Sequence, residues 1–334
     1  VKAVYLEETK RIVIKDIRKP VPETGEVLIK VDACGICGSD VHYWQHGRIG
    51  DFIVKEPMVL GHEAAGTVVA VGEGVDKVKA GDIVALEPGI TCMKCDHCRS
   101  GLYNLCSKVQ FFATPPVDGV MKEYVAHPAE LVHPVPAGLS AQTASLAEPF
   151  SVGIHALRLA KFQVGQKVLV LGAGIIGICV MIAAFEAGAS EVAVTDIQDI
   201  RLKRAKELGA TEIINSKNGM QKSQYYDAVF ECTGAQECAA SAIKAARSGG
   251  NVVMIGMGPD DMTKIPLLDA ICREISIHGS FRYRNTYPAA LNIIAKRKEL
   301  FSKLITHNFT IDEAEKAFIT ALKDPSSCKV MVNI

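Results

Sequence analysis

The run from Lys167 to Asp196 restricts the fold more than any other part of this 334-residue chain. An apolar stretch, KVLVL, ends at Leu171. It is followed by Gly172-Ala173-Gly174-Ile175-Ile176-Gly177, a GxGxxG turn, then by an apolar ICVMIAAFEAGA and a second short run, EVAVTD. Strand, glycine turn, helix and strand in that order form one parallel βαβ unit. A helix opened by small residues offers free N–H groups and the positive end of its dipole to a pyrophosphate. Asp196 stands 19 residues beyond Gly177, at the end of the next strand. A carboxylate there can accept hydrogen bonds from both ribose hydroxyls and repels a 2′-phosphate, so the site is expected to prefer NAD to NADP. The plainer alternative is that Asp196 caps the following helix. Arg201 has three readings: a phosphate partner, a cover for the adenine face, or a solvated helix cation beside Lys203 and Arg204.

The alternation continues through RLKRAKELGA, TEIIN, DAVFECTG, CAASAIKAARSG, GNVVMIGMG and EISIHGSF. Six strands result, enough for a complete dinucleotide-binding sheet. Thr233, and the run Ile255-Gly256-Met257, follow later strands and are expected where the nicotinamide half passes. Val168 to Phe185 carries no charge and is long enough by count to cross a bilayer. Its three glycines and the strand-turn-helix pattern argue against that, and no second such segment exists.

Up to about residue 150 the chain is mostly β, with runs such as GEVLIKVDACGI, GTVVAVGEG and GDIVALEPG bounded by Gly, Pro or Asp. AQTASLAEPFSVGIHALRLAKF reads as one linking helix. Beyond Tyr287 come a helix (PAALNIIAKRKEL), an extended piece, a second helix (DEAEKAFITAL) and a last strand (KVMVNI). The expected class is α/β. Thirty-seven Lys plus Arg balance 37 Asp plus Glu, so nothing draws the chain to nucleic acid or to an anionic membrane, and a small neutral partner is expected. The opening VKAVYLEETKRIVIKDIRKP lacks a signal-peptide pattern, which predicts a cytoplasmic protein.

Four of the 11 cysteines crowd together at Cys92, Cys95, Cys98 and Cys106. Without a secretory leader, such spacing suits a tetrahedral thiolate site for zinc, closed to substrate and therefore structural. A redox CxxC pair or empty thiols are the alternatives. Cys34, Cys179, Cys232, Cys238, Cys272 and Cys328 are expected to be small buried residues. Elsewhere, Gly-Ile-Cys37-Gly-Ser39-Asp40 and Gly61-His62-Glu63 are ordinary singly. Together, Cys37, His62 and a carboxylate would supply the three protein ligands of a catalytic zinc that keeps one open position.

At this point the sequence resembles a known family, the zinc-dependent medium-chain dehydrogenases, and within them the sorbitol (polyol) dehydrogenases. The resemblance runs through GICGSDVHYWQHGRIGDFIVKEPMVLGHEAAGTV, CMKCDHCRSGLYNLC, FFATPPVDG, LAEPFSVGIHA, VLGAGIIG, ECTGA, VMIGMG and GSFRYRNTYP. It implies a mostly-β GroES-like catalytic domain over 1–150, a Rossmann domain over 151–282 and a return to the catalytic domain over 283–334. It implies that Cys37, His62 and Glu63 bind zinc, with Glu148 reaching it directly or through water. It further implies that Tyr43, Glu148, Arg282 and Tyr283 hold substrate hydroxyls, and that Ile49, Phe52 and Phe111 wall the pocket. Ser280, Phe281 and Arg282 would lie near the cofactor, and a proton would leave through Ser39 and His42 or through Glu148. His42 is otherwise a plain loop histidine, and Arg282 and Tyr283 plain surface residues. The implied reaction is the reversible NAD-linked oxidation of a sugar alcohol to the 2-ketose, in a homo-oligomer, by family tendency a tetramer. The rivals are another secondary alcohol, such as threonine or butanediol, and a zinc-braced NAD(H)-binding protein without turnover. Between Thr211 and Asp227 the crossover is short for the family, which puts a helix there in doubt.

Overall fold

Strand Glu26–Gly35 is covered along nearly its whole length, and a strand buried on both faces reads as an apolar run rather than an alternation. The computed structural model describes residues 1–219, 221–258 and 264–334, and they divide into two units, Val1–Glu148 with Tyr287–Ile334, and Pro149–Thr286. In the first unit, Glu26–Gly35 pairs antiparallel along one edge with Glu63–Val71. Along its other edge lie Tyr124–Pro128 and the C-terminal strand Lys329–Asn333. The sheet extends through Ile83–Leu86 to Val132–Pro134 at one end and to Ile305–Thr310 at the other. Ile305–Thr310 and Lys329–Asn333 run parallel, which requires a crossover, and helix Ala314–Lys323 supplies it. Val31, Trp44, Leu60 and Phe318 belong to the core of this unit.

The second unit is a six-stranded sheet in the order Glu212–Asn215, Glu191–Asp196, Lys167–Leu171, Tyr226–Glu231, Ala246–Met254, Ser276–Gly279. Every neighbouring pair is parallel. The strand order reverses between Lys167–Leu171 and Tyr226–Glu231, the switch point at which open α/β sheets bind ligands beyond their carboxyl ends. The charge-free run is strand Lys167–Leu171 followed by the 12-residue helix Ile175–Glu186. Among the described residues no helix is long and apolar enough to cross a membrane.

Two local expectations are refined, and the doubt about a helix in the short crossover agrees with the structure. The single linking helix is two, Ala141–Ser145 and Ala147–Leu159. Pro149 lacks an N–H and its ring would strike the carbonyl of Ser145 in a continuous helix, whereas in the first turn of a new one it is tolerated. Among the described residues between Asn215 and Tyr226 no helix forms. Cys34 and Cys179 are buried, but Cys232, Cys238 and Cys328 are half-buried and Cys272 is exposed. The apolar neighbours that made Cys272 look internal, Leu267, Leu268 and Ile271, are themselves exposed.

His127, on Tyr124–Pro128, is wholly buried. Its Nε2 donates to the Glu87 carbonyl at 2.8 Å, and burial pushes its pKa down to about 4. An unfolded histidine titrates near 6.5, so between those values the unfolded chain binds a proton that the folded chain refuses. Stability present at neutral pH is therefore lost as pH falls from about 6.5 to about 4, by up to about 3 kcal/mol for this residue. Denaturant unfolding of His127→Gln at pH 7 and pH 4 should show a pH dependence smaller than wild type by about that amount; equal dependence would exclude the assignment.

Candidate active site

Cys37 precedes helix Gly38–His46 as its N-cap, at the positive end of the helix dipole. Asp40, in the first turn, accepts from the Cys37 N–H at 3.0 Å and from the Gly61 N–H at 3.0 Å. Gly61 needs its left-handed φ of 87°, and a Cβ there would lie 2.6 Å from the Cys34 sulfur. The next residue, His62, enters the site as strand Glu63–Val71 begins. One ligand atom from each of Cys37, His62 and Glu63 lies within 4.8 Å of the others. Asp40 Oδ1 stands 3.5 Å from His62 Nδ1, and the ring faces Phe111 with centroids 5.8 Å apart.

Glu63 is also the partner of a residue that no motif marks. Lys329 Nζ, on the last strand, donates to both Glu63 oxygens at 2.6 and 2.5 Å and to the Ile36 carbonyl at 2.9 Å. Each side chain is only 1% exposed. Burial works against a charged lysine, but Glu63 holds Lys329 above the usual lysine range, with Cys37 and Glu148 adding to the effect. Asp40 and Glu63 bring two carboxylates to the site, and Lys329 is the ammonium bonded to Glu63. Burial disfavours a charged His62 too, yet Asp40 and Cys37 raise its pKa well above the ordinary value. The pocket draws positive charge, and a thiolate, imidazole and carboxylate donor set fits a divalent zinc. Glu148, 6% exposed, is not a member of the three-residue ligand cluster.

Among the other expected residues of this unit, Tyr43 is 3% and Phe111 8% exposed, whereas Phe52 is 43% exposed. Ile49 pairs with Phe52 in a short hairpin. Ser39 is half-buried and His42 exposed; His42 Nδ1 is 2.8 Å from the Arg48 carbonyl.

The four-cysteine lobe converges as well. Cys92 and Cys106 sulfurs are 3.5 Å apart, Cys95 and Cys98 3.5 Å, Cys92 and Cys98 4.0 Å. Four thiolates at about 2.3 Å from a tetrahedral zinc lie about 3.8 Å from one another. All four cysteines are free, and N–H groups of Lys94 and Cys95 hold the Cys92 thiol down at about 6.

In the second unit each motif glycine has its own role. Gly172 has φ 99°, and a Cβ on it would meet the Thr233 methyl at 2.8 Å. A Cβ on Gly177 would strike the Gly172 carbonyl at 1.8 Å, while nothing lies within 4 Å of one on Gly174. Gly174 caps helix Ile175–Glu186, so an open approach leads to the helix N-terminus. Ile176, in that first turn, is half-buried. Asp196 bonds the Ala173 N–H at 2.8 Å and the Gln198 N–H at 2.9 Å. It thus shapes both the glycine turn and the start of helix Asp199–Glu207. Arg201 Nε is buried with no hydrogen-bond partner among the described residues. A Cβ on Gly256 would lie 2.0 Å from the Gly234 nitrogen, so the loops carrying Thr233 and Ile255-Gly256-Met257 interlock. Ser280 N–H bonds the Met254 carbonyl at 2.9 Å. Arg282 takes a left-handed φ of 55°, its guanidinium 4.6 Å from the Phe281 ring centroid, and Tyr283 is 3% exposed. A non-glycine residue held in that region is a frequent mark of a functional segment.

Residues 23–137 match the alcohol dehydrogenase GroES-like domain, and residues 176–296 the zinc-binding dehydrogenase domain. Sorbitol dehydrogenase of Gallus gallus is 44% identical over 94% of this chain and 91% of its own length. That of Bacillus subtilis is 40% identical over 99% and 96%. The crystal structure of L-idonate 5-dehydrogenase from Escherichia coli superposes with a TM-score of 0.91 at 29% identity, over 100% of this chain and 98% of that one. The chain therefore belongs to the zinc-dependent medium-chain dehydrogenases, and within that family to the sorbitol dehydrogenase group.

Removing one partner of a buried ion pair strands the other, at a cost of about 3–5 kcal/mol. Lys329→Met should lower unfolding stability by that order in metal-free protein, and adding Glu63→Gln should recover most of it. Chemical denaturation of both variants is the measurement, and a neutral single variant would reject the pairing.

Proposed function

We propose that this chain catalyses the reversible NAD-linked oxidation of a sugar alcohol, sorbitol, xylitol or a similar polyol, to the 2-ketose. The convergence of Cys37, His62 and Glu63 on one point, in a chain 44% identical to a sorbitol dehydrogenase, carries this reading. Zinc held by Cys37, His62 and Glu63 supplies Lewis acidity towards an alcohol oxygen, and the dinucleotide supplies the hydride acceptor. Asp40 fixes the Cys37 and Gly61 backbone and sits beside the His62 ring; Lys329 fixes Glu63. The Glu148 carboxylate accepts a hydroxyl proton of the substrate. The alternative route for that same proton is from the substrate through Ser39 to His42, which passes it to water: the Arg48 carbonyl lies at His42 Nδ1, so with Nδ1 as donor Nε2 is left to accept. Tyr43, Arg282 and Tyr283 pair the remaining hydroxyls, since each one left unpaired out of water weakens binding, while Ile49, Phe52 and Phe111 form the apolar wall. Cys92, Cys95, Cys98 and Cys106 hold a structural zinc. Gly172, Gly174, Ile176 and Gly177 bind the pyrophosphate, and Asp196 selects NAD, with Arg201 at the adenine. Thiolates kept reduced for metal suit the cytoplasm.

We further propose a homo-oligomer, a tetramer. Leu267, Leu268 and Ile271 are 58%, 73% and 64% exposed, and among the described residues Ser276–Gly279 ends the strand order of the sheet; such surfaces invite a second copy. Light scattering should give about four chain masses, and charged substitutions at Leu268 and Ile271 a smaller species; a monomeric wild type would exclude assembly.

NADH formation should appear with sorbitol or xylitol, exceed that with threonine or butanediol, and vanish on chelation. Glu148→Gln should fold normally, with kcat lowered by about 100-fold or more. Preference for butanediol would move the substrate class, and unchanged turnover in Glu148→Gln would remove its proton role.

A further inference from the structure

Glu231 ends strand Tyr226–Glu231 at the switch point and is 1% exposed. No lysine or arginine forms an ion pair with it among the described residues. Its carboxylate is satisfied from within its own loop. Oε1 accepts from the Thr233 N–H at 2.6 Å, from the Thr233 hydroxyl, and from the Gly234 N–H at 3.0 Å; Oε2 accepts from the Gly234 N–H at 3.1 Å. The Glu231 carbonyl meanwhile accepts from the N–H groups of Ile255 and Gly256 at 2.8 and 3.0 Å.

A buried carboxylate without a cation is costly unless N–H and O–H donors surround it, so these bonds determine where the loop can go. The Thr233 hydroxyl, donating to Glu231, also accepts from the Ala235 N–H at 3.0 Å. With both functions used, its rotamer is set, and its methyl lies where a Cβ on Gly172 would otherwise be. Gly234, with φ 73°, packs on the Met257 carbonyl group. One side chain thus joins three loops: the glycine turn, the turn after Tyr226–Glu231, and the turn after Ala246–Met254.

We propose that Glu231 is a positioning residue for the dinucleotide, holding Cys232-Thr233-Gly234 and Ile255-Gly256-Met257 in the shape that receives its nicotinamide half before it arrives. The inference rests on the NAD-binding reading above. Preorganised loops raise affinity by removing the ordering cost of binding, and the adenine half, at Asp196, should be indifferent to Glu231.

The test measures affinities of the zinc-loaded protein for NADH and for AMP by titration, alongside thermal melting and zinc content. Glu231→Ala should weaken NADH at least tenfold and leave AMP within twofold. Glu231→Gln keeps one oxygen for the three Oε1 bonds and should recover most of the loss, and neither variant should change the polyol KM at saturating NAD. In the cofactor-free wild type, the Thr233 and Gly234 amides should be protected from hydrogen exchange, a reading that stands even if a variant fails to fold. Folded variants that bind NADH within twofold of wild type, an equal loss of AMP, or unprotected amides would each overturn the proposal. A wild type that binds no NADH would overturn the cofactor reading together with it.

Discussion

A buried cluster of charged side chains is the constraint around which the first unit is built. Asp40 and Glu63 come from the first turn of a helix and the start of a strand, and Lys329 is the ammonium bonded to Glu63. Anions so close in a low-dielectric interior are tolerated only with cations beside them. Lys329 answers Glu63, and Asp40 and Cys37 draw His62 towards its charged form; the same pull would favour a divalent ion on this donor set. The same constraint explains why the tail re-enters the sheet. Lys329 reaches Glu63 because Lys329–Asn333 pairs with the end of Glu26–Gly35, and Gly35 is obligatory beneath them, since a Cβ on it would stand 2.2 Å from a Glu63 oxygen.

The second unit handles charge differently. Two carboxylates flank the glycine turn, Asp196 on one neighbouring strand and Glu231 on the other, and both are satisfied by backbone N–H groups. The loops at the carboxyl end of the sheet are thereby fixed without occupying the N-terminus of helix Ile175–Glu186, which stays open above Gly174. A sheet whose switch point is shaped this way meets a pyrophosphate with donors already aligned.

Features encoded by local spacing were legible in the sequence. The GxGxxG turn, the six parallel strands and the cysteine lobe each depend on residues a few positions apart, where periodicity and turn chemistry act directly. The residues themselves suggested Cys37 and His62 with a carboxylate, family resemblance specified Glu63, and the three fold close together. Pairings across the chain were not legible. Lys329 is separated from Glu63 by 266 positions, and nothing in KVMVNI marks its first residue as internal, because a lysine at a strand end is ordinarily solvated. Asp40 stood in the quoted motif without a role, since its function depends on Gly61 coming to meet it. Glu231 is the last residue of strand Tyr226–Glu231, where a carboxylate is ordinarily solvated. The break at Leu146 followed from Pro149, and could have been read from proline chemistry alone.

The cysteine lobe connects to the site through packing. Helix Asp96–Arg99 buries none of its residues, so this excursion has little apolar core of its own, and four converging thiolates give an ion the part that a core plays elsewhere. The lobe is fastened at two points. Tyr103 donates to Glu87 at 2.7 Å, whose other oxygen is 2.9 Å from His133, and Gly89–Ile90 pairs with Gln110–Phe111 at the base. That second strand sets Phe111 against the His62 ring. An ion held by these four thiolates would therefore have a structural path to the candidate site: it would shape the lobe, the lobe's base carries Phe111, and Phe111 packs against the His62 ring.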